Sequence, residues 1–201
     1  MTTLLHIDSS PRMERSSSRR LTAHFVDCWR RLNPDGMIIS RDLATHVLPF
    51  VTEEWIAAAF TDASQHSEQQ QQTIAVSDEL VDELIRADEL VIGSPMYNYT
   101  VNAALKAWID QVVRVGRTIA YPSYEGLLRG KRATILATRG ESAVLPNGEP
   151  SYDAQIPYLR YVLGFLGIVD VRVVQADQLA GDAETRTSNM DGALTKIEKL
   201  F

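Results

Sequence analysis

The stretch Leu90 to Thr100, reading LVIGSPMYNYT, decides how this chain is read. Leu90, Val91 and Ile92 form a short apolar run compatible with a strand. Pro95 stiffens the turn that follows, and the next residues offer backbone amides and aromatic surface beside the end of the strand. Leu105, Trp108, Ile109, Val112 and Val113 then recur at steps of three and four, the stripe of an amphipathic helix. One strand, one loop and one helix follow in order.

The same unit repeats on either side. Apolar runs at Leu4 to Ile7, Met37 to Ile39, Ala133 to Ala137 and Val171 to Val174 are each compatible with a strand. Helical stripes separate them: Leu21, Phe25, Cys28, Trp29 and Leu32 on a helix beginning near Ser17 or Ser18; Ile74, Leu80, Val81 and Leu84; and Ile156, Leu159, Val162, Leu163 and Leu166, ended by Gly167. Ala183 to Phe201 reads as a terminal helix. Right-handed crossovers turn this alternation into an α/β domain spanning residues 1–201, with a five-stranded parallel sheet in the order 2-1-3-4-5 and helices on both faces. Ligands of such sheets sit beyond the carboxyl ends of the strands where the order reverses, which singles out the loops after strands one, three and four. The biased tract Gln69 to Gln72 reads as a solvated loop or helix entrance.

Composition narrows the function classes. With 201 residues and 45% hydrophobic content, the chain can bury one sizeable core. A net charge of -6 makes nucleic acid or an anionic membrane an unfavourable partner. The one cysteine, Cys28, lies in an apolar stretch and is expected to fill core, so a cytoplasmic setting is favoured. No signal peptide or membrane span is expected.

The loop after the first strand carries Ser9, Ser10, Ser16, Ser17 and Ser18 before a helix begins. A helix start offers unpaired N–H groups and the positive end of its dipole, and small hydroxyl residues let a phosphate come close. Capping explains one serine but hardly five. Arg12, Arg15, Arg19 and Arg20 are read as a solvated face and left outside the contact set. A flat heteroaromatic ring suits the third loop, Met96 to Tyr99. In the fourth, Thr138, Arg139, Gly140 and Glu141, the glycine lets backbone approach a ligand edge.

Taken together, these three loops resemble the FMN-dependent NADH-azoreductase family of flavodoxin-like NAD(P)H quinone reductases. The strongest likeness is Pro95-Met96-Tyr97-Asn98-Tyr99, continued by Leu105-Lys106-Ala107-Trp108-Ile109-Asp110, and it extends over nearly the whole chain. The resemblance implies that Ser10, Ser16, Ser17 and Ser18 hold the phosphate of FMN. It implies that Met96, Tyr97, Asn98 and Tyr99 line the isoalloxazine ring, and that Thr138, Arg139, Gly140 and Glu141 border its pyrimidine side. It further implies NADH or NADPH as donor, a quinone or azo acceptor, ping-pong transfer of two electrons through flavin N5 with no catalytic side chain, and a homodimer. Two positions depart from the family pattern: Thr138 stands where the family has Ser, and Glu141 where it has a second Gly. The segment 142–151 also departs from the family's run of Gly and His residues.

Other motifs do not compete. Gly126 to Lys131 has the wrong glycine spacing for a Walker loop and Arg132 in place of Ser or Thr, and no Gly-x-Gly-x-x-Gly run is present. His6, His24, His46 and His66 show no metal-ligand spacing, so no metal is expected. Trp55, Phe60 and Tyr121 are candidates for a site wall or an interface as much as for ordinary packing. A flavodoxin-like one-electron carrier and a flavin-binding regulatory protein without turnover are the other classes these loops could serve.

Overall fold

The computed structural model describes residues 2–144 and 147–201, so Leu145 and Pro146 of the departing 142–151 segment lie outside the described residues. Five parallel strands form one sheet: β1 Thr3–Asp8, β2 Met37–Asp42, β3 Glu89–Pro95, β4 Arg132–Thr138 and β5 Asp170–Ala176, in the order β2-β1-β3-β4-β5. The expected strands and their order are all present. Strand order reverses between β1, which pairs with β2 on one side, and β3 on the other.

Because successive strand residues face opposite ways, the sheet divides two cores. Leu5, Ile7, Leu90, Ile92, Ala133 and Ile135 face α3 (Glu68–Arg86), α4 (Ala103–Val112) and α5 (Gln155–Phe165). Leu4, Val91, Leu136 and Val174 face α1 (Ser17–Leu32) and α6 (Ala183–Glu198), where Phe25, Cys28 and Trp29 supply the stripe expected of α1. The central strands β3 and β4 are buried nearly throughout, whereas the edge strand β2 has no fully buried residue. That contrast accounts for the short, ambiguous apolar signal of β2.

The glutamine tract begins α3: Ser67 and Gln70 form a reciprocal capping box, and Gln69 to Gln72 lie in its first turns. A further helix, α2 (Glu53–Ala59), has no counterpart in the sequence reading. At seven residues it is too short for a periodic stripe to register. Trp55 anchors it, buried, with its indole N–H donating to Gln111 Oε1 at 2.8 Å and the Arg114 guanidinium 5.5 Å from its ring centre. Trp55 is therefore a packing residue, while Phe60 and Tyr121 are exposed, 73% and 72%.

Gly126 serves close packing. A Cβ there would sit 2.1 Å from the backbone nitrogen of Gly167, which ends α5 at a φ of 95°. Arg132 opens β4 directly after this contact. No helix among the described residues is long and apolar enough to cross a membrane.

Candidate functional site

A cavity of about 610 Å3 opens at the carboxyl ends of β1, β3 and β4, where the strand order reverses. Its volume lies within the ordinary range for small-molecule sites. Ser10, Ser16 and Ser17 line it from the loop after β1, Met96 and Tyr97 from the loop after β3, and Thr138, Arg139 and Gly140 from the loop after β4. Asn98, Tyr99 and Glu141 border an adjoining cavity of about 340 Å3 that shares Met96, Arg139 and Gly140 with the first.

The serine floor follows from how α1 begins. Ser16 is its N-cap, and its side chain accepts from the Arg19 N–H at 3.3 Å, which leaves the N–H groups of Ser17 and Ser18 with no partner inside the helix. Ser18 points behind the floor: it is buried, and its Oγ lies 3.1 Å from Ser16 Oγ, so it orients Ser16 instead of lining the cavity. Ser9 is also turned away, donating to the Gly93 carbonyl at 2.7 Å. Asn102, the N-cap of α4, donates to the Ser9 carbonyl at 2.8 Å and accepts from the Leu105 N–H at 2.9 Å. One buried amide thereby fixes the first loop to the helix after the third. Its position before a helical stripe is a capping signal in the sequence, but its reach to Ser9 depends on the β1–β3 pairing.

The arginines separate into two kinds. Arg19 is committed internally: it forms a fork with Asp42, at 2.8 and 2.6 Å, and donates from Nε and Nη2 to the Ser10 carbonyl at 3.0 and 2.8 Å. This fork holds Asp42 below the usual carboxylate range and raises the Arg19 guanidinium. Arg12, Arg15 and Arg20, in contrast, line the cavity, joined by Arg186 from α6. From sequence all of the first four are expected to form a solvated face; the structure puts three at the cavity and one beneath its floor.

The Met96 N–H donates to the Thr138 carbonyl at 2.7 Å, joining two of the loops. Tyr97 and Thr100 exchange backbone bonds of 3.0 and 3.1 Å across a turn whose central residues, Asn98 and Tyr99, have φ of 48° and 68°. Two consecutive left-handed residues define a tight turn of the type I′ kind. Among the described residues the Asn98 and Tyr99 N–H groups have no hydrogen-bond acceptor. The Tyr99 ring meets Tyr152 edge-on, with centres 5.9 Å apart.

In the fourth loop the Arg139 side chain is occupied by Asp177 at 2.8 Å and Asp153 at 3.5 Å. Carbonyls of Arg139, Gly140 and Glu141 accept from the N–H groups of Leu179, Ala180 and Gln178. This strap leaves the Gly140 and Glu141 N–H groups as donors, and it brings Leu179 and Ala180 to the cavity wall. The loop after β5 is thus a fourth contributor that the sequence reading did not include; its place at the same sheet edge was the available signal.

A family model described as flavodoxin-like fold matches residues 2–201. The chain belongs to the flavodoxin-like family. Within it, the chain is 46% identical over 190 residues to an FMN-dependent NADH:quinone oxidoreductase of Nostoc punctiforme, covering 93% of each chain. It is 48% identical over 199 residues to FMN-dependent NADH:quinone oxidoreductase 1 of Trichormus variabilis, covering 98% of this chain and 94% of that one. Among solved flavodoxin-like structures, an azoreductase from Bacillus anthracis superposes with a TM-score of 0.88 at 24% identity, covering 100% of this chain and 98% of that one. An FMN-dependent NADH-azoreductase from the same species, solved with FMN, gives 0.83 at 21% identity, covering 100% and 97%. At such identities the superpositions speak for the fold.

Proposed function

We propose that the chain is an FMN-dependent NAD(P)H oxidoreductase that passes two electrons to quinones or azo compounds. The supporting observation is the serine floor at the start of α1 together with the free N–H groups of the third and fourth loops, which border the main cavity and the smaller one adjoining it. Curated relatives of nearly full length at 46% and 48% identity carry the corresponding name.

The residues fit a flavin monophosphate. Ser10, Ser16 and Ser17, with the N–H groups that open α1, take the phosphate, and Ser18 steadies Ser16. Met96, Tyr97, Asn98 and Tyr99 border the ring, with the two unpaired amides of the turn as donors. Thr138, Arg139, Gly140 and Glu141 border its pyrimidine edge; the Gly140 and Glu141 N–H groups favour negative charge there without rearrangement, while the Arg139 side chain braces the loop. FMN, when bound, supplies the two-electron redox centre between donor and acceptor. Donor and acceptor use the same open mouth in turn, so steady-state kinetics are ping-pong. The chain acts as one domain and as a homodimer in the cytoplasm.

The test is purification followed by an absorbance spectrum, identification of released flavin, and stopped-flow mixing with NADH. Bound FMN that bleaches on mixing and is reoxidised by a quinone is the expected result. Flavin that NADH does not bleach points to a one-electron carrier. Undiminished FMN affinity in the Ser16→Ala, Ser18→Ala double variant overturns the phosphate assignment.

A further inference from the structure

Four guanidinium groups, Arg12, Arg15, Arg20 and Arg186, line the main cavity with only Glu14 as an acidic neighbour on its wall. They lie on a chain whose net charge is -6, so their convergence runs against the overall charge. None of the four has a carboxylate partner among the described residues, whereas Arg19 and Arg139 beside them are both ion-paired. The site is layered: Ser10 and Ser16 are buried at its floor, and the four arginines are exposed at its mouth. A floor of hydroxyl and N–H groups is a complete cradle for one phosphate. That phosphate brings about two negative charges, and the rim stays positive after it and Glu14 are counted. Arginine at an exposed site is a planar donor fork matched to phosphate oxygens.

We propose that this rim is a second phosphate subsite, which receives the phosphate groups of the incoming nicotinamide dinucleotide while the floor keeps the flavin phosphate. The inference rests on the oxidoreductase reading given above. Flavin stays through turnover and occupies the buried layer; the dinucleotide arrives and leaves, and the subsite that serves it is the solvent-facing one. An exposed cationic rim also steers an anionic reactant, so its contribution weakens with added salt.

The experiment uses FMN-loaded protein and the double variants Arg12→Gln, Arg15→Gln and Arg20→Gln, Arg186→Gln. All four side chains are exposed and unpaired, so the fold is expected to survive. Flavin bleaching is followed with NADH, with NADPH, and with 1-benzyl-1,4-dihydronicotinamide, which carries no phosphate. The expected result is a roughly tenfold rise in the dinucleotide concentration needed for half-maximal bleaching in at least one variant. The wild-type rate with either dinucleotide falls with salt, and the phosphate-free donor is affected by neither change. Equal losses for NADH and NADPH assign the rim to the pyrophosphate, and a larger loss for NADPH assigns it to the 2′-phosphate. Unchanged dinucleotide concentrations in both variants overturn the proposal. So does a loss of FMN affinity without a dinucleotide effect, which gives the rim to the flavin's own phosphate. If neither dinucleotide nor the phosphate-free donor bleaches wild-type protein, the oxidoreductase reading fails instead.

Discussion

Replacing Arg19 by Met removes the fork beneath the serine floor. The guanidinium is 16% exposed and its partners Asp42 and Asp8 are 28% and 13% exposed, so none of the three is freely hydrated. Loss of the arginine leaves Asp42 without its bidentate partner, removes the cation 3.5 Å from Asp8, and strips both donors from the Ser10 carbonyl. A hydrogen bond to a charged group contributes about 1.5–3 kcal/mol. Breaking a fully buried pair costs about 3–5 kcal/mol. Five contacts sharing one cation, with water still reaching the partners, place the total near 2–4 kcal/mol. Part appears as a lower urea midpoint and part as a displaced Ser10. FMN affinity should therefore fall about tenfold or more, while riboflavin, which has no phosphate, weakens by no more than about twofold. Quenching of flavin fluorescence on titration into apoprotein measures both. Arg19→Lys restores the charge but not the fork, and should recover stability more than FMN affinity. Equal losses for FMN and riboflavin refute the role of Arg19 in setting the phosphate loop.

Three further outcomes follow from other contacts. Asp42 is held below its ordinary range by Arg19; a depressed carboxylate contributes stability above its unfolded pKa of about 3.9 and loses it as pH falls through the lower folded value. The urea-midpoint gap between wild type and Asp42→Asn should thus stay constant above about pH 5 and narrow below about pH 4. Glu141→Gly removes a carboxylate bordering the adjoining cavity and should raise the flavin midpoint potential by about 10–20 mV in redox titration; an unchanged or lower value rejects it. Gly126→Ala drives a Cβ against the Leu166–Gly167 backbone and should lower stability by about 1–3 kcal/mol or more in urea, with NADH bleaching of the folded fraction retained.

Much of the architecture is legible because the apolar runs of β1, β3 and β4 lie on the central strands, and those of β3 and β4 are covered on both faces. Edge strand β2 shows only its first three residues as an apolar run, since Ser40, Arg41 and Asp42 end it in polar side chains. Those polar residues prove to matter: Asp42 reaches the serine loop only because β2 pairs in register with β1, with Asp42 opposite Asp8. Sequence proximity groups Arg12, Arg15, Arg19 and Arg20 as one basic cluster, and only that pairing separates Arg19 from the others. The part played by Leu179, Ala180 and Arg186 is hidden for the same reason. They come from a loop and a helix far along the chain, and they meet the first loop through the packing of α6 on α1.

The turn at Asn98 and Tyr99 has a consequence for anyone seeking to redirect this protein to new acceptors. Asn tolerates the left-handed conformation, but Tyr at a φ of 68° carries about 1–2 kcal/mol of strain, and its carbonyl is tied at 2.9 Å to the Ala154 N–H. A mutational library that diversifies both turn positions will mostly sample misfolded loops, with β-branched replacements faring worst. Diversity is better placed at Tyr152, which shares the same aromatic contact, is itself exposed in a stretch without regular secondary structure, and whose backbone makes no such demand.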